Sequence, residues 1–322
     1  MTDRNLSLVL PVFNEEETLP RLLDRLRALQ QELPRLTEII FVDDGSTDRS
    51  FALLRMAVDS ATGWRLLRFS RNFGQQVASL AGLQHAGGDA VVLMDADLQD
   101  PPEVIAAMLQ RWDDGWDVVY GVRRLRSGDS LLKRVAAKLF YRLLSRVSEV
   151  PIPVDAGDFR LMDRRVVDVL NRLGEQRPYV RGLVAWAGFR QTSIVFDRQP
   201  RREGTSSYDI GRMLRLSIDA IVGFSSAPLR VVTRLGILVV LLTLAYSIVV
   251  FGLWFAGINV PGWTSMMLVI LFLGAVQLIS LGVIGEYLAN LVLEAKGRPR
   301  YVIAFDSAAQ GGDATHREVE GK

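Results

Sequence analysis

Short apolar runs alternate with amphipathic stretches along the first part of the chain. Each run has the length and content of a buried strand, and each amphipathic stretch repeats its apolar residues at helical spacing. The runs predict strands at Leu6–Val12, Ile39–Val42, Arg65–Phe69, Ala90–Met94 and Asp117–Tyr120. The clearest helical repeat between them comprises Leu19, Leu22, Leu23, Leu26 and Leu29. This alternation predicts an α/β fold with a mostly parallel, doubly wound sheet and helices on both faces.

Polar residues follow each of the first four predicted strands directly. These segments are residues 11–15, 43–48, 71–74 and 95–99. Because the carboxyl ends of parallel strands meet at one edge of the sheet, we expect the four segments to converge on one crevice. The glycine-rich phosphate loops of dinucleotide-binding proteins and ATPases are missing from the sequence. Phosphate charge would therefore have to be met by a metal ion and by arginine.

The fourth predicted strand ends in the most acidic of these segments. Asp95 and Asp97 are one residue apart, and Pro101-Pro102 prevents the strand from continuing. Carboxylate oxygens suit a hard cation such as Mg²⁺ or Mn²⁺, which is commonly shared with substrate phosphates. The alternative is that the two aspartates only cap a turn and the following helix.

A long stretch between Arg234 and Glu286 contains no charged residue. Two segments of it, at about 235–255 and 266–285, each reach roughly 30 Å as a helix, which is enough to cross a bilayer. Arg212, Arg215, Arg230 and Arg234 precede the pair, and Lys296, Arg298 and Arg300 follow it. By the positive-inside rule, both ends should lie in the cytoplasm with a short loop across the membrane.

These patterns divide the chain into four parts. Residues 1–209 form a predicted cytoplasmic catalytic domain, 210–230 an interfacial amphipathic helix, 231–290 the two membrane helices, and 291–322 a cytoplasmic tail that is disordered from Ser307 to Lys322. A basic amphipathic helix from Arg123 to Arg146 fits contact with a membrane surface or an anionic ligand. Its alternative is a solvated helix face packed on the core.

Composition excludes several kinds of chemistry. The chain has no cysteine and 2 histidines, so disulfides, thiol nucleophiles and zinc-thiolate sites are ruled out and histidine-centred triads are not expected. A formal net charge of +2 argues against a dedicated nucleic-acid binder, and no nucleic-acid partner is expected. No signal peptide is visible before the first strand.

Four separated motifs, taken together, resemble one family. They are Pro11-Val12-Phe13-Asn14-Glu15, Val42-Asp43-Asp44-Gly45-Ser46-Thr47-Asp48, Met94-Asp95-Ala96-Asp97-Leu98-Gln99-Asp100-Pro101-Pro102 and Arg201-Arg202-Glu203-Gly204-Thr205-Ser206-Ser207-Tyr208. The sequence is similar to the family 2 glycosyltransferases of GT-A fold, over about residues 5–303. Within them it resembles the polyprenyl-phosphate branch of dolichol-phosphate mannose synthases and bactoprenol glucosyltransferases. Asp155-Ala156-Gly157-Asp158-Phe159-Arg160, Trp186-Ala187-Gly188-Phe189-Arg190 and the two-helix anchor favour the bactoprenol enzymes.

The resemblance implies a role for each matching residue on the donor side. Pro11, Glu15 and Asp44, together with Asp95, would hold the nucleotide sugar. Asp95, Asp97 and Gln99 would bind the divalent ion, Mg²⁺ or Mn²⁺, that bridges the diphosphate. Arg201 would approach the departing diphosphate, as suits a bidentate guanidinium. The family often has lysine at the position of Ser207, so one positive charge is missing here and Arg202 is the candidate to replace it.

On the acceptor side, Arg123, Lys133 and Arg134 are the candidates for the lipid phosphate. Asp158 is the residue usually proposed as general base in the bactoprenol branch. A phosphate monoester has a second pKa of about 6, so it is largely dianionic at neutral pH and already nucleophilic. We therefore expect Asp158 to orient substrate and to act only secondarily as a base.

The resemblance implies an inverting enzyme that moves a hexose, most directly glucose, from a UDP-sugar to undecaprenyl phosphate at the cytoplasmic face of the inner membrane. A homo-oligomer such as a tetramer is implied too. Three alternatives stay open: another sugar (mannose, an N-acetylhexosamine or an aminoarabinose derivative), a processive polysaccharide synthase, and a nucleotide-sugar-binding membrane scaffold without catalysis. The processive enzyme would need more membrane helices and a Q-x-x-R-W motif, whose spacing Gln110-Arg111-Trp112 lacks.

Overall fold

The structure is a computed structural model that describes residues 4–123, 156–176, 178–196, 227–256 and 262–309. These residues divide into two compact units. The sheet unit comprises the described residues up to 196 together with 298–309, and the hairpin unit comprises 227–256 and 262–297. Each unit is described by itself.

The predicted alternation of strands and helices is confirmed through the first four strands of the sheet unit. In chain order the elements are β1 (Leu6–Val12), α1 (Leu19–Glu32), β2 (Leu36–Asp43), α2 (Ser50–Asp59), β3 (Trp64–Phe69), α3 (Gln75–His85), β4 (Ala90–Leu93), α4 (Val104–Asp113), β5 (Val118–Arg123), β6 (Ala156–Asp163), α5 (Arg164–Arg172), α6 (Val180–Ala187), β7 (Gln191–Phe196), α7 (Ala227–Phe255), α8 (Trp263–Ala295) and β8 (Ile303–Asp306).

The strands form one sheet in the order β7-β5-β6-β4-β1-β2-β3-β8. The β4-β1-β2-β3 core is parallel, as predicted, and β5 is parallel to β7. Strand β6 lies antiparallel between β4 and β5, and β8 lies antiparallel beside β3. The sequence pattern predicts none of β6, β7 and β8. Strand β6 escapes the pattern because it carries Asp158 and Arg160 among its buried residues.

Buried residues lie on both faces of the central strands, so β1 is apolar at nearly every position. Leu6, Leu8 and Leu10 share one core cluster with the leucines of α1. On the opposite face α3 approaches very closely, because a Cβ added at Gly82 would overlap the Val9 side chain and lie 3.2 Å from Val42 Cγ2. This packing fixes the start of α3 at the carboxyl edge of the sheet.

The hairpin unit consists of two long apolar helices. In α7 the segment Val231–Leu253 has a mean hydropathy of 2.5, and in α8 the segment Phe272–Ala295 has a mean hydropathy of 1.6. Both are long and apolar enough to cross a membrane, and neither segment is buried within the protein. The helices contain the predicted segments 235–255 and 266–285 and extend beyond them. Of the predicted interfacial helix at 210–230, residues 210–226 lie outside the described part of the chain.

After the hairpin the chain contributes the edge strand β8 to the sheet unit. Arg65 donates from Nε and Nη2 to the two carboxylate oxygens of Asp306, at 3.0 and 2.7 Å. The amide of Ser307 donates to the carbonyl of Leu66 at 3.0 Å. The ring of Phe305 packs edge-on against Phe51 of α2, with 5.4 Å between centroids. Residues 310–322, the larger part of the predicted disordered end, lie outside the described part.

Candidate active site

The loops that follow β1 and β2 are bound to each other at the carboxyl edge of the sheet. The amide of Asn14 donates to Ser46 Oγ at 3.0 Å, and the amide of Thr47 donates to Asn14 Oδ1 at 2.9 Å. The amide of Glu15 donates to Ser50 Oγ, at 2.8 Å, at the start of α2. Asn14 has a φ of 54°, a left-handed conformation that asparagine tolerates better than most residues. The sequence therefore brings Glu15 to the second strand's loop, as the crevice prediction requires.

Asp43 and Asp44 end β2 as two adjacent buried carboxylates. Asp44 accepts hydrogen bonds from the amides of Phe73 and Gly74, at 2.7 and 2.9 Å, and so shapes the loop after β3. Asp43 accepts from the Ser46 amide at 3.0 Å and lies 3.2 Å from Arg68 Nε. Burial raises the pKa of both carboxyl groups, and their hydrogen bonds oppose that rise.

Gly45 makes the turn after this pair. Its φ is 69°, and an added Cβ would lie 2.6 Å from the Arg71 carbonyl carbon. Only glycine permits both the left-handed conformation and this close backbone approach. The turn thus brings the second and third loops of the crevice into direct contact.

Asp95 and Asp97 occupy the loop after β4 and are both partly exposed. Gln75 Nε2, at the start of α3, donates to Asp95 Oδ1 at 2.6 Å. Asp97 Oδ1 accepts from the Gln99 amide at 3.0 Å, which is the turn-forming role considered as the alternative. Neither aspartate caps α4, whose N-cap residue is Glu103. Leu98, directly after Asp97, has a φ of 57°, so the loop contains a left-handed non-glycine residue between Asp97 and Gln99.

Gln99 fits the predicted metal set for a reason found in the structure. It is 4% exposed, and its Oε1 is a buried oxygen that has no hydrogen-bond partner among the described residues. A buried amide oxygen of this kind costs free energy unless something binds it, and amide and carboxylate oxygens are suitable ligands for a hard cation. Among the described residues no three His, Cys, Asp or Glu side chains cluster as a metal site. The predicted set is instead two aspartates and an amide.

Asp158 lies on β6 and is 8% exposed. Arg181 Nε, on α6, donates to its Oδ1 at 2.7 Å, and Gln76 Nε2, on α3, donates to its Oδ2 at 3.4 Å. The amide of Val180 donates to Gln76 Oε1 at 2.9 Å. Three elements therefore meet at this one carboxylate.

A second arginine, Arg160, lies two residues after Asp158 in β6. Arg160 is 3% exposed and donates from Nη2 to the Gly157 carbonyl at 2.9 Å. Burial lowers the pKa of its guanidinium to about 10, and the charge of Asp158 opposes that fall. Arg160 still carries its charge at neutral pH, so Asp158 lies near two cations, Arg160 and Arg181.

The structure places only some of the predicted site residues. Arg201, Lys133 and Arg134 lie outside the described part of the chain, as do Arg202 and Ser207. Arg123 ends β5, and only its backbone is described. Pro11 is buried within β1, where it pairs with Val42. The roles implied for all of these residues stay predictions.

The structure places Gln75 beside Asp95, and Gln76, Arg160 and Arg181 beside Asp158. The sequence analysis predicts none of these four as a site residue. Arg160 is part of a motif that carried the family resemblance, but no role was attached to it. The only sequence signal for the glutamines is their position directly after Gly74, at a predicted helix start. Arg181 carries no local signal, because its partner Asp158 lies in another element.

A cavity of about 750 Å³ opens beside the same edge of the sheet. Its walls combine the aromatic rings of Phe13, Phe51, Phe69 and Phe305 with the cationic side chains of Arg55, Arg68 and Arg71. Gly45, the residue after Asp44, also lines the cavity. Strand β8 supplies another wall through Ala304 and Phe305.

Comparison with known proteins gives two family matches and a set of long relatives. The model of glycosyl transferase family 2 matches residues 7–170, and the model of the GtrB C-terminal hairpin matches residues 227–291. An uncharacterized glycosyltransferase of Synechocystis sp. is 44% identical over 93% of this chain and 94% of its own. The bactoprenol glucosyl transferase of Shigella phage SfII is 40% identical over 304 residues, 92% of this chain and 97% of its own.

Solved structures resemble this chain more distantly. Mannosyl-3-phosphoglycerate synthase from Rubrobacter xylanophilus superposes with a TM-score of 0.47 at 20% identity, over 72% of this chain and 75% of that one. A superposition this loose carries no functional inference.

Proposed function

This chain belongs to glycosyltransferase family 2, and on that premise we propose that it transfers glucose from UDP-glucose to undecaprenyl phosphate. The observation that carries the proposal is the 40% identity, over 92% of the chain, with a bactoprenol glucosyl transferase. The match extends beyond the catalytic fold to a hairpin model at residues 227–291. A lipid acceptor is consistent with two apolar helices joined to such a domain.

On the donor side, the loops after β1, β2 and β4 would hold the nucleotide sugar through Glu15, Asp44 and Asp95. Asp95, Asp97 and Gln99 would hold Mg²⁺ or Mn²⁺, and the unpartnered Gln99 Oε1 supports that set. When bound, the ion supplies Lewis-acid stabilisation of the diphosphate leaving group. Arg201 would add charge-assisted hydrogen bonds to the same diphosphate. The aromatic and cationic cavity beside Asp44 has the size of a small-molecule pocket.

On the acceptor side, Arg123, Lys133 and Arg134 would hold the lipid phosphate. A dianionic phosphate oxygen needs no proton removed before it attacks the anomeric carbon. A single displacement, in which the bond from the anomeric carbon to the UDP oxygen breaks as the new bond to the lipid phosphate forms, would invert that centre. Asp158 already accepts hydrogen bonds from Arg181 and Gln76. A carboxylate held in this way supports a role in orienting substrate, so positioning and charge neutralisation would provide most of the rate.

The route of the chain supports a membrane topology for the hairpin. Strand β3 precedes α7 and α8 in the sequence, β8 follows them, and the two strands pair in one sheet. Because a bilayer is not expected to divide a folded sheet, this pairing supports a topology in which both ends of the hairpin would lie on one side. The flanking Arg234 and Lys296 favour the cytoplasm, where the phosphate acceptor would be met. The sheet unit and both termini would then be cytoplasmic, at the inner membrane. The homo-oligomer implied by resemblance stays a prediction.

The test is a lipid-product assay on the purified full chain. Undecaprenyl phosphate, Mn²⁺ or Mg²⁺, and a panel of labelled UDP-sugars would be supplied to the wild type and to Asp97→Asn. The matched control is Asp114→Asn, a change of the same kind at the exposed end of α4. We expect labelled prenyl-phosphate glucose from the wild type and the control, and at least a hundredfold less from Asp97→Asn.

The other outcomes would contradict the proposal in distinct ways. If the lipid product carries a different sugar, the proposed reaction class stands but UDP-glucose is the wrong donor. Binding of UDP-sugar without release of UDP or labelled lipid would favour the non-catalytic scaffold. A polymer in place of a single-sugar lipid would favour a processive synthase.

A further inference from the structure

We propose that Gln75 and Gln76, the first two residues of α3, are positioning residues that hold Asp95 and Asp158 in a fixed relation across the active site. Gln75 reaches Asp95 at 2.6 Å, and Gln76 reaches Asp158 at 3.4 Å. The inference rests on the proposed glycosyl transfer, because it assigns Asp95 to the donor side and Asp158 to the acceptor side.

The helical geometry explains how two neighbours can serve different partners. Successive side chains on an α-helix diverge by about 100°, since a turn contains about 3.6 residues. Gln75 therefore faces the loop after β4, whereas Gln76 faces β6 and the start of α6. The Ser79 hydroxyl donates to the Gln75 carbonyl at 2.9 Å, which ties this first turn to the next.

The helix that carries both glutamines is itself held firmly against the sheet. Its Gly82 lies so close to Val9 and Val42 that no side chain fits between them. Residues Val77 to Leu83 of the same helix are all buried. Because packed interiors resist small displacements, both amide groups are presented from a rigid base.

Gln76 acts on Asp158 in two ways. Its Nε2 donates to the carboxylate directly, and its Oε1 accepts the amide of Val180, the first residue of α6. The next residue, Arg181, donates to the other oxygen of the same carboxylate at 2.7 Å. One glutamine thus positions both Asp158 and the helix that carries its ion-pair partner. Both oxygens of Asp158 therefore accept hydrogen bonds from side chains of other elements, which supports a role in positioning.

Gln75 acts on the donor side through a single oxygen of Asp95. An ionised carboxylate has about four acceptor positions, so a hydrogen bond to Oδ1 is compatible with a cation bound to the same group. Groups that orient a metal ligand in this way typically change metal affinity by about 10–100-fold when removed. Gln75 is therefore expected to influence metal binding, whereas Gln76 is expected to influence turnover.

The experiment compares Gln75→Ala and Gln76→Ala in the full-length protein, with Gln84→Ala as the control. Gln84 is an exposed glutamine on the same helix whose side chain contacts Tyr301. Three quantities are measured: the Kd for Mn²⁺ in the presence of UDP, by electron paramagnetic resonance; kcat and KM for labelled lipid product; and hydrogen exchange of the Val180 amide.

We expect Gln75→Ala to weaken Mn²⁺ binding by about 10–100-fold. We expect Gln76→Ala to lower kcat by about 10–100-fold, with Mn²⁺ binding within about twofold of wild type, because misplacement of a positioned group acts on the chemical step. Gln76→Ala should also accelerate Val180 exchange. Gln76→Glu keeps the acceptor for Val180 but repels Asp158, so it should restore slow exchange and not kcat.

The proposal is overturned if neither variant differs from Gln84→Ala, or if both variants lose Mn²⁺ binding and turnover in parallel, as a general loss of folding would produce. Failure of the proposed function is distinguishable, because it appears as a wild type that forms no lipid product. In that case Mn²⁺ affinity and Val180 exchange still decide whether each glutamine positions its partner.

Discussion

The ion pair between Arg65 and Asp306 attaches β8 to the edge of the sheet, and its removal gives a measurable prediction. The pair has two hydrogen bonds, at 3.0 and 2.7 Å, and its side chains are 25% and 18% exposed. Hydrogen bonds to charged groups contribute about 1.5–3 kcal/mol, whereas exposed ion pairs contribute at most about 1 kcal/mol. For a pair exposed to this degree we expect Asp306→Asn to destabilise β8 by about 1–2 kcal/mol.

Local opening of the edge strand is the quantity to measure, because the hairpin complicates global unfolding. Two amides report on the two ends of β8. The Ser307 amide donates to the Leu66 carbonyl, and the Ser70 amide donates to the Val302 carbonyl. A change of 1–2 kcal/mol corresponds to roughly 5–30-fold faster exchange. The control is Glu103→Gln, since Glu103 pairs with Arg25 at 2.6 Å but is 59% exposed. It should change exchange near its own site by less than about fivefold.

Acid provides a second check on the same pair. Burial would raise the pKa of Asp306, but the hydrogen bonds and charge of Arg65 hold it below its usual value. A carboxyl group with a lowered folded-state pKa contributes stability that is fully present above its unfolded pKa of about 3.9 and is lost as pH falls through the folded value. The difference between wild type and Asp306→Asn should therefore be constant from pH 7 to about 5 and shrink below about 4. Equal exchange in Asp306→Asn and Glu103→Gln, or a difference that grows in acid, would refute the reasoning.

Two further predictions concern the rest of the sheet unit. Gly82→Ala forces a methyl group into the Val9 side chain and should destabilise the sheet unit by about 1–3 kcal/mol, measured by its thermal midpoint. The control Gly174→Ala, whose methyl group would meet no described atom within 4 Å, should stay near wild type, and equal midpoints for the two variants would contradict the close packing. Asp163→Asn removes a charged carboxylate that accepts hydrogen bonds from Trp112 Nε1, at 2.8 Å, and from Arg165. Burial alone would raise the pKa of Asp163, but these hydrogen bonds lower it, so the variant should be about 1 kcal/mol less stable than wild type at pH 7 and equally stable below about pH 4. A loss of stability that does not change with pH would rule out this origin.

The parallel core and its acidic loop could be predicted because their signals are local. Strands β1 to β4 are apolar runs that stop at acids or turn-forming residues, and each is followed by a helix. Asp95 and Asp97 stand out because they directly follow a buried strand, at the edge of the sheet where open α/β proteins bind ligands. For these elements, residue type and spacing along the chain are sufficient for the prediction.

The remaining elements depend on partners that are distant in sequence. Strand β6 contains a buried aspartate and a buried arginine, which become acceptable only when α6 and the backbone of the strand provide their partners. Strand β8 is too short to recognise alone, and it forms because β3 presents an unpaired edge. Gln76 and Asp158 are separated by 82 positions, and an amide side chain at a helix start has no distinguishing pattern. The hydrogen bonds that position Asp158 can therefore be identified only from the three-dimensional structure.

The late position of β8 in the chain has a consequence for how the protein is made. A ribosome completes β1 to β7 well before it reaches Ile303–Asp306, and α7 and α8 are synthesised in between. Until then the outer edge of β3 has no β8 partner, and one wall of the cavity near Asp44 is missing. If the hairpin inserts as proposed, the cavity near Asp44 is completed only after both helices have entered the bilayer and β8 has paired with β3. Membrane insertion would then act as a checkpoint in biogenesis, and a copy that fails to insert would expose an open sheet edge to chaperones and proteases.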